Sequence, residues 1–191
     1  MDIPAALGVL GTVVGLVRAL PQLFAILRAR KAAGVSIDST LVSALVSSGW
    51  AVYGCLTHQP FVSLATGSSA LIFLLVTLFS LKYGHSPREF KVAPIWFCLL
   101  VLAHLLLGVE GLGLLLPISV LACNLPQLKT AWNAPDLSDL SLGTWRFSLA
   151  DGLIWGSYAL LQNDVPILAY GTIQVITSLI IIALKRTRTA L

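Results

Sequence analysis

The chain is predicted to be an all-α membrane protein whose seven transmembrane helices are arranged as three, one and three. Three observations predict this. Of 191 residues, 57% are hydrophobic and only 10% charged, with a mean hydropathy of +0.91, whereas about a quarter of a soluble domain is charged. Seven apolar stretches approach the roughly 20 residues needed to cross about 30 Å of hydrocarbon. The chain also matches itself at a shift of 105 positions, which lays Pro21 on Pro126 and Trp50 on Trp155. This composition excludes a soluble enzyme, a disordered tail and a nucleic-acid binder, so the formal charge of +4 speaks about topology.

The spans fall at approximately 5–27, 39–57, 61–82, 92–109, 112–132, 142–161 and 165–184, with polar breaks between them, the fourth of which is Glu110-Gly111. The first stretch is too long, and lacks the basic flank, for a cleaved signal peptide. Lys and Arg favour cytoplasmic loops. Arg28, Arg30 and Lys31 follow the first span, Lys82, Arg88 and Lys91 the third, Lys129 and Arg146 border the loop after the fifth, and Lys185, Arg186 and Arg188 follow the seventh. The amino terminus is therefore expected outside and the carboxyl terminus in the cytoplasm, in a plasma (inner) membrane. The twelfth basic residue, Arg18, lies inside the first span. The seventh span has no lysine, which excludes a retinal protein. Cys55, Cys98 and Cys123 sit in apolar runs without metal-ligand or disulfide spacing.

The self-match aligns Leu20-Pro21-Gln22-Leu23 with Leu125-Pro126-Gln127-Leu128, Ser36 with Ser141, Ser43 with Ser148, and Tyr53 with Tyr158. Residues 1–91 therefore form one three-helix unit and 110–191 another with a short cytoplasmic tail. A unit of three spans reverses orientation, so an odd linker, the span at 92–109, is needed to make the units parallel.

The paired Pro-Gln dipeptides in this layout resemble the PQ-loop superfamily, which includes the SWEET sugar facilitators, the half-size SemiSWEETs and cystinosin. The resemblance covers nearly the whole chain. The run Asp151-Gly152-Leu153-Ile154-Trp155-Gly156-Ser157-Tyr158 is also similar to the SWEET sixth helix. It implies a membrane transporter that moves a small polar solute, a sugar before others, by alternating access between two parallel bundles. The alternatives are proton-coupled amino-acid transport of the cystinosin type and a non-transporting receptor of the same fold.

Proline inside a helix removes a backbone hydrogen bond and strains the preceding turn, so Pro21 and Pro126, with Gln22 and Gln127 to satisfy freed backbone groups, read either as paired hinges or as static kinks. Asp151, Trp155, Tyr158 and Gln162 share one helical face, and Val46, Trp50, Tyr53 and Thr57 are their counterparts. Trp50 and Trp155, which lie deeper, read as solute-stacking residues before interface residues, since an indole face fits the C–H face of a sugar. Tyr53 and Tyr158 read as an outer gate or as interface residues.

SWEETs partner the pocket tryptophan with an asparagine 16 residues later. Here those positions are Thr66 and Gly171, or Tyr170 if the second hairpin slips by one. Neither supplies an asparagine.

Asp151 is an intramembrane carboxylate, a costly feature that marks a pathway, a proton relay or a counter-ion. An ion pair with Arg18 at similar depth, a proton site and a contact for a charged solute all remain open. Asn124 could reach the solute or satisfy the proline break. His104 is expected to face the bundle or bond a backbone carbonyl, Gly8, Gly11 and Gly15 to permit close packing, and Glu110 and Asp164 to be solvated loop charges. No nucleophile, metal cluster or phosphate loop is visible, so no cofactor and no enzymatic activity are expected. The expected partners are the solute and the bilayer, not nucleic acid, and a homo-oligomer is compatible with the chain.

Overall fold

The computed structural model describes residues 2–32, 35–133, 137 and 140–188, without the side chains of Arg18, Pro126 and Arg188. The described residues are helical throughout apart from turns: α1 (Ile3–Ala29), α2 (Ile37–Leu56), α3 (Pro60–Lys82), α4 (Ala93–Asn133), α5 (Leu142–Gln162) and α6 (Val165–Arg188), with a 3-10 turn at Pro87–Glu89 before α4. Five of them, α1, α2, α3, α4 and α6, are long and apolar enough to cross a membrane. The chain is an integral membrane protein. The remaining helix, α5, buries Ser148 and Asp151 among its apolar residues, which lowers its hydropathy.

Local chemistry sets the helix ends. Ser36 caps α2 by accepting from the Ser39 amide, and Ser141 caps α5 by accepting from the Thr144 amide, each at 3.4 Å. Such caps satisfy amides that the first helical turn leaves open. Pro60 opens α3, where its missing N–H costs nothing. α1 runs unbroken through Pro21.

α4 is two helices joined at Gly108, whose φ of 62° and ψ of −140° are non-helical. Only glycine adopts such a conformation without steric cost. A Cβ on Gly111 would fall on the Ala103 carbonyl, so the chain turns back sharply at Gly108. The break is thus at Gly108 and not at the expected Glu110-Gly111. Hydropathy marked the polar residue, but Glu110 belongs to the first turn of the second arm, where a carboxylate complements the helix dipole. Gly111 is needed for close approach. His104 also departs from expectation: it is exposed.

The backbone divides into two compact units, one of residues Thr12–Leu115 and one joining the residues up to Gly11 with Leu116–Leu191. In the first, Ala19, Leu23, Ile26, Ala32, Ile72 and Val76 form a core. In the second, the core is Ala131, Leu137, Trp145, Ile181 and Ile182. Ile26, Ala32 and Val76 stand at the repeat positions of Ala131, Leu137 and Ile181, so the duplicated sequence builds duplicated cores.

The hairpins repeat as well. His58 and Asn163 both take positive φ, 58° and 53°. The Gln59 amide donates to the Gly54 carbonyl at 2.7 Å, and the Asp164 amide to the Ala159 carbonyl at 3.0 Å. The register of 105 therefore holds through the turn, making Gly171 the counterpart of Thr66, and Tyr170 that of Ala65. Asp164 is not merely solvated: its carboxylate accepts from the Ile167 amide at 2.8 Å and caps α6.

Lipid removes the hydrophobic drive between helices, leaving close packing and hydrogen bonds to hold them. α5 and α6 use glycines. A Cβ at Gly171 would lie 2.7 Å from the Gly156 Cα and 2.8 Å from the Gly152 carbonyl oxygen.

Candidate functional site

In the first half, Trp50 and Tyr53 are buried on α2, with ring centroids 5.5 Å apart and planes at 84°. Thr66 on α3 is half-buried, and its hydroxyl donates to the Val62 carbonyl at 2.6 Å. Its polarity is thereby turned partly onto its own helix. Pro21 and Gln22 are exposed on α1.

In the second half, Trp155 and Tyr158 are buried on α5 in the same arrangement, 5.5 Å apart at 75°. Three residues along a helix places the rings on one face, and edge-to-face packing suits their quadrupoles. The Trp155 indole lies flush on α1 at Gly11, where an added Cβ would meet its Cε2 and Cζ2 at 2.8 Å. The glycine spacing on α1 thus accommodates an aromatic ring. At Gly15, further along, an added Cβ would meet only the Ser69 hydroxyl, at an ordinary contact distance of 3.5 Å.

Asp151, only 3% exposed, accepts a 2.5 Å hydrogen bond from the Tyr170 hydroxyl on α6. Burying a carboxylate costs several kcal/mol unless polar groups compensate, and the phenol supplies one charge-assisted bond. The glycine crossing at Gly152, Gly156 and Gly171 brings α5 and α6 close enough for it. Gly171 itself offers no side chain and no space for one. The expected alternatives at this site therefore resolve into two roles: Gly171 sets helix separation, and Tyr170 contacts Asp151.

Asn124, half-buried on the second arm of α4, donates from Nδ2 to the Gln174 Oε1 and the Thr177 Oγ1, each at 3.0 Å. Both partners are buried. Neither stood out in the sequence, although a signal was present: Tyr170, Gln174 and Thr177 lie at i, i+4 and i+7, a polar stripe along an apolar helix. Gln127 is half-buried. The side chains of Pro126 and Arg18 lie outside the described residues, and with them the side-chain contacts of the second proline and the pairing of Arg18 with Asp151.

The first half has no such polar set. Val46, Ala65 and Ala19 occupy the positions of Asp151, Tyr170 and Asn124. Among the described residues its buried polar contacts include the hydroxyl pair of Thr40 and Thr77, 2.9 Å apart. Chemically, each half presents an aromatic pair, and the second adds a carboxylate and two carboxamides capable of accepting and donating hydrogen bonds.

Two comparisons bear on these features. Residues 3–63 match the family described as PQ loop repeat. The whole fold matches the structure of a eukaryotic SWEET transporter with a TM-score of 0.79 over 98% of this chain and 97% of that one, at 16% sequence identity. No curated protein matches the sequence.

Proposed function

We propose that this PQ-loop, SWEET-like chain is a membrane transporter that moves a small polar solute, a sugar before others, by facilitated alternating access. Residues 1–91 and 110–191 act as the two three-helix units and 92–109 as the linker, in a plasma membrane with the amino terminus outside. The observation that carries the reading is the repeated buried Trp–Tyr pair, Trp50–Tyr53 and Trp155–Tyr158, in a chain that shares the SWEET fold over nearly its full length. Indole faces stack on sugar C–H surfaces, and the adjoining tyrosines are assigned the gate. Asp151, Tyr170, Asn124 and Thr66 are the polar groups assigned to solute hydroxyls, with Pro21 and Pro126 as the points about which α1 and the second arm of α4 bend. A static hydrophobic pair would serve packing alone, so the test is function.

A second reading, proton-coupled uptake of an amino acid, is favoured by one observation, the buried Asp151 bonded to Tyr170. A carboxylate held by a phenol can take up and release a proton without leaving an unsatisfied partner.

Uptake of labelled sugars and amino acids into proteoliposomes, with and without an imposed proton gradient, separates the readings. Sugar uptake indifferent to the gradient is the expected result. Gradient-driven amino-acid uptake that Asp151→Asn abolishes would replace it with the second reading. Absence of flux for every solute, with saturable binding of a peptide, would assign the fold a receptor role.

A further inference from the structure

The two halves fasten the loop before their second helix in the same way but with different basic residues. In the first half the Ala32 carbonyl accepts from the Val35 amide at 2.9 Å; in the second, the Leu137 carbonyl accepts from the Leu140 amide at 3.0 Å. These are the same repeat positions. Each carbonyl is also reached by a basic side chain arriving from the end of the third helix of its half. At Leu137 it is the Lys185 ammonium, buried on α6. At Ala32 it is the His85 imidazole, whose Nε2 lies 2.8 Å from the carbonyl oxygen. Ser80 occupies the repeat position of Lys185, and its buried hydroxyl has no hydrogen-bond partner among the described residues, so it is too short to serve. The chain instead turns back after α3 to deliver His85.

The other imidazole nitrogen, Nδ1, lies 2.8 Å from Glu89 Oε2. Glu89 is itself fixed, its Oε1 accepting from the Ser86 amide at 2.7 Å. Both partners of the ring, a carbonyl and an ionised carboxylate, can only accept. Only an imidazolium has two N–H donors, so both bonds exist together only when His85 is protonated. On deprotonation the stronger acceptor, the carboxylate, retains the remaining proton, and a bare Nε2 lone pair then faces the Ala32 oxygen.

From this geometry we propose that His85 is a pH-operated latch between the α3–α4 loop and the Ala32 carbonyl, closed when protonated, whose counterpart in the second half is Lys185. The latch holds the Ala32 carbonyl, which also accepts from the Val35 amide, and releases it as pH rises, on one half only. The Ala32 carbonyl, then Glu89, raise the His85 pKa above its ordinary 6.5, and the Ser86 amide, then His85, lower that of Glu89 from 4.5. The raised histidine contributes stability that is fully present below 6.5 and is lost as pH rises through the raised value. The remaining charged groups nearby along the chain are Lys82 on α3, Arg88 and Lys91 on the same loop, Asp38 on α2, and Arg28, Arg30 and Lys31 around the end of α1. Asp38 is engaged with the Val92 and Ala93 amides, each at 2.9 Å, and Lys82 lies over the Tyr83 ring.

The test compares amide hydrogen exchange at Val35 and Leu140 in the full chain in lipid nanodiscs. Taking their ratio cancels the common base catalysis of exchange. Between about pH 6 and 8.5, the ratio of Val35 to Leu140 exchange should rise roughly three- to tenfold in the wild type, the equilibrium change expected from loss of one hydrogen bond. In His85→Lys, which keeps its charge, it should stay flat. Histidine-labelled NMR should place the His85 pKa above 6.5 and show it falling in Glu89→Gln. A flat wild-type ratio, an equal rise in His85→Lys, or a His85 pKa at or below 6.5 unaffected by Glu89→Gln would overturn the latch.

Discussion

Where the first half has Ala19, Val46, Ala65 and Thr66, the second has Asn124, Asp151, Tyr170 and Gly171. Around those four positions the halves agree closely: equal Trp–Tyr ring separations, equal serine caps, equal positive-φ turns and cores built from matching residues. The comparison teaches that the frame and its polar furnishing are separable. Backbone turns, caps and aromatic pairs tolerate little change because each is fixed by local geometry. The helix face between them accepts either an apolar or a hydrogen-bonded solution, provided the second is complete. With Gly171 where the first half has Thr66, α6 packs closely on the backbone of Gly152 and Gly156 of α5, and from the same stretch Tyr170 reaches the Asp151 carboxylate.

The largest expected effect comes from undoing that closeness. Gly171→Val places carbons against the backbone of Gly152 and Gly156 and should destabilise the protein by about 3 kcal/mol, read as thermal unfolding in detergent. Thr66→Val, at the matching position, should cost less than about 1 kcal/mol. Equal losses would break the comparison. Next, Asn124→Ala leaves Gln174 and Thr177 buried without this donor and should cost about 1–3 kcal/mol in the same assay. An unchanged melting temperature would show that the network is not needed.

Smaller still is the effect of Tyr170→Phe, which removes one hydrogen bond from Asp151 and should cost about 1–2 kcal/mol. In the facilitator reading, Asp151→Asn keeps a hydrogen-bond acceptor and leaves sugar exchange within about twofold of wild type. Complete loss of flux in a folded Asp151→Asn would move the second half from furnishing to mechanism. The smallest effect is the pH slope of the first half. As pH rises from 6.5 through the raised His85 value, the melting temperature should fall by about 2–4 °C, and His85→Lys should remove the slope.

Much of this frame is legible in the sequence. The Pro-Gln pairs, the matching tryptophans and tyrosines and the spacing of apolar stretches identify the repeat, because rare residues at one offset carry information that apolar ones do not. The turn at Gly108 is not legible, since hydropathy sees the charge of Glu110 and not the positive φ that breaks the helix. Asp151 announces itself as a carboxylate in an apolar helix. Its partner does not, because which residue it meets depends on how closely α5 and α6 cross, a matter of three glycines acting together. Gln174 and Thr177 were detectable as a stripe with Tyr170, but their bond to Asn124 joins residues some 50 positions apart. The contact of His85 with a loop carbonyl has no sequence signature at all.

In the proposed transporter the repeated aromatic pairs serve the solute. Counterflow of labelled sugar should therefore be measured in proteoliposomes for wild type, Trp50→Ala and Trp155→Ala, each shown to be folded by its elution and melting profile. The account predicts exchange above empty liposomes for the wild type and a loss of about tenfold in both variants, the scale of one aromatic contact. Wild-type exchange no greater than that of empty liposomes, or exchange untouched by both substitutions, would contradict it.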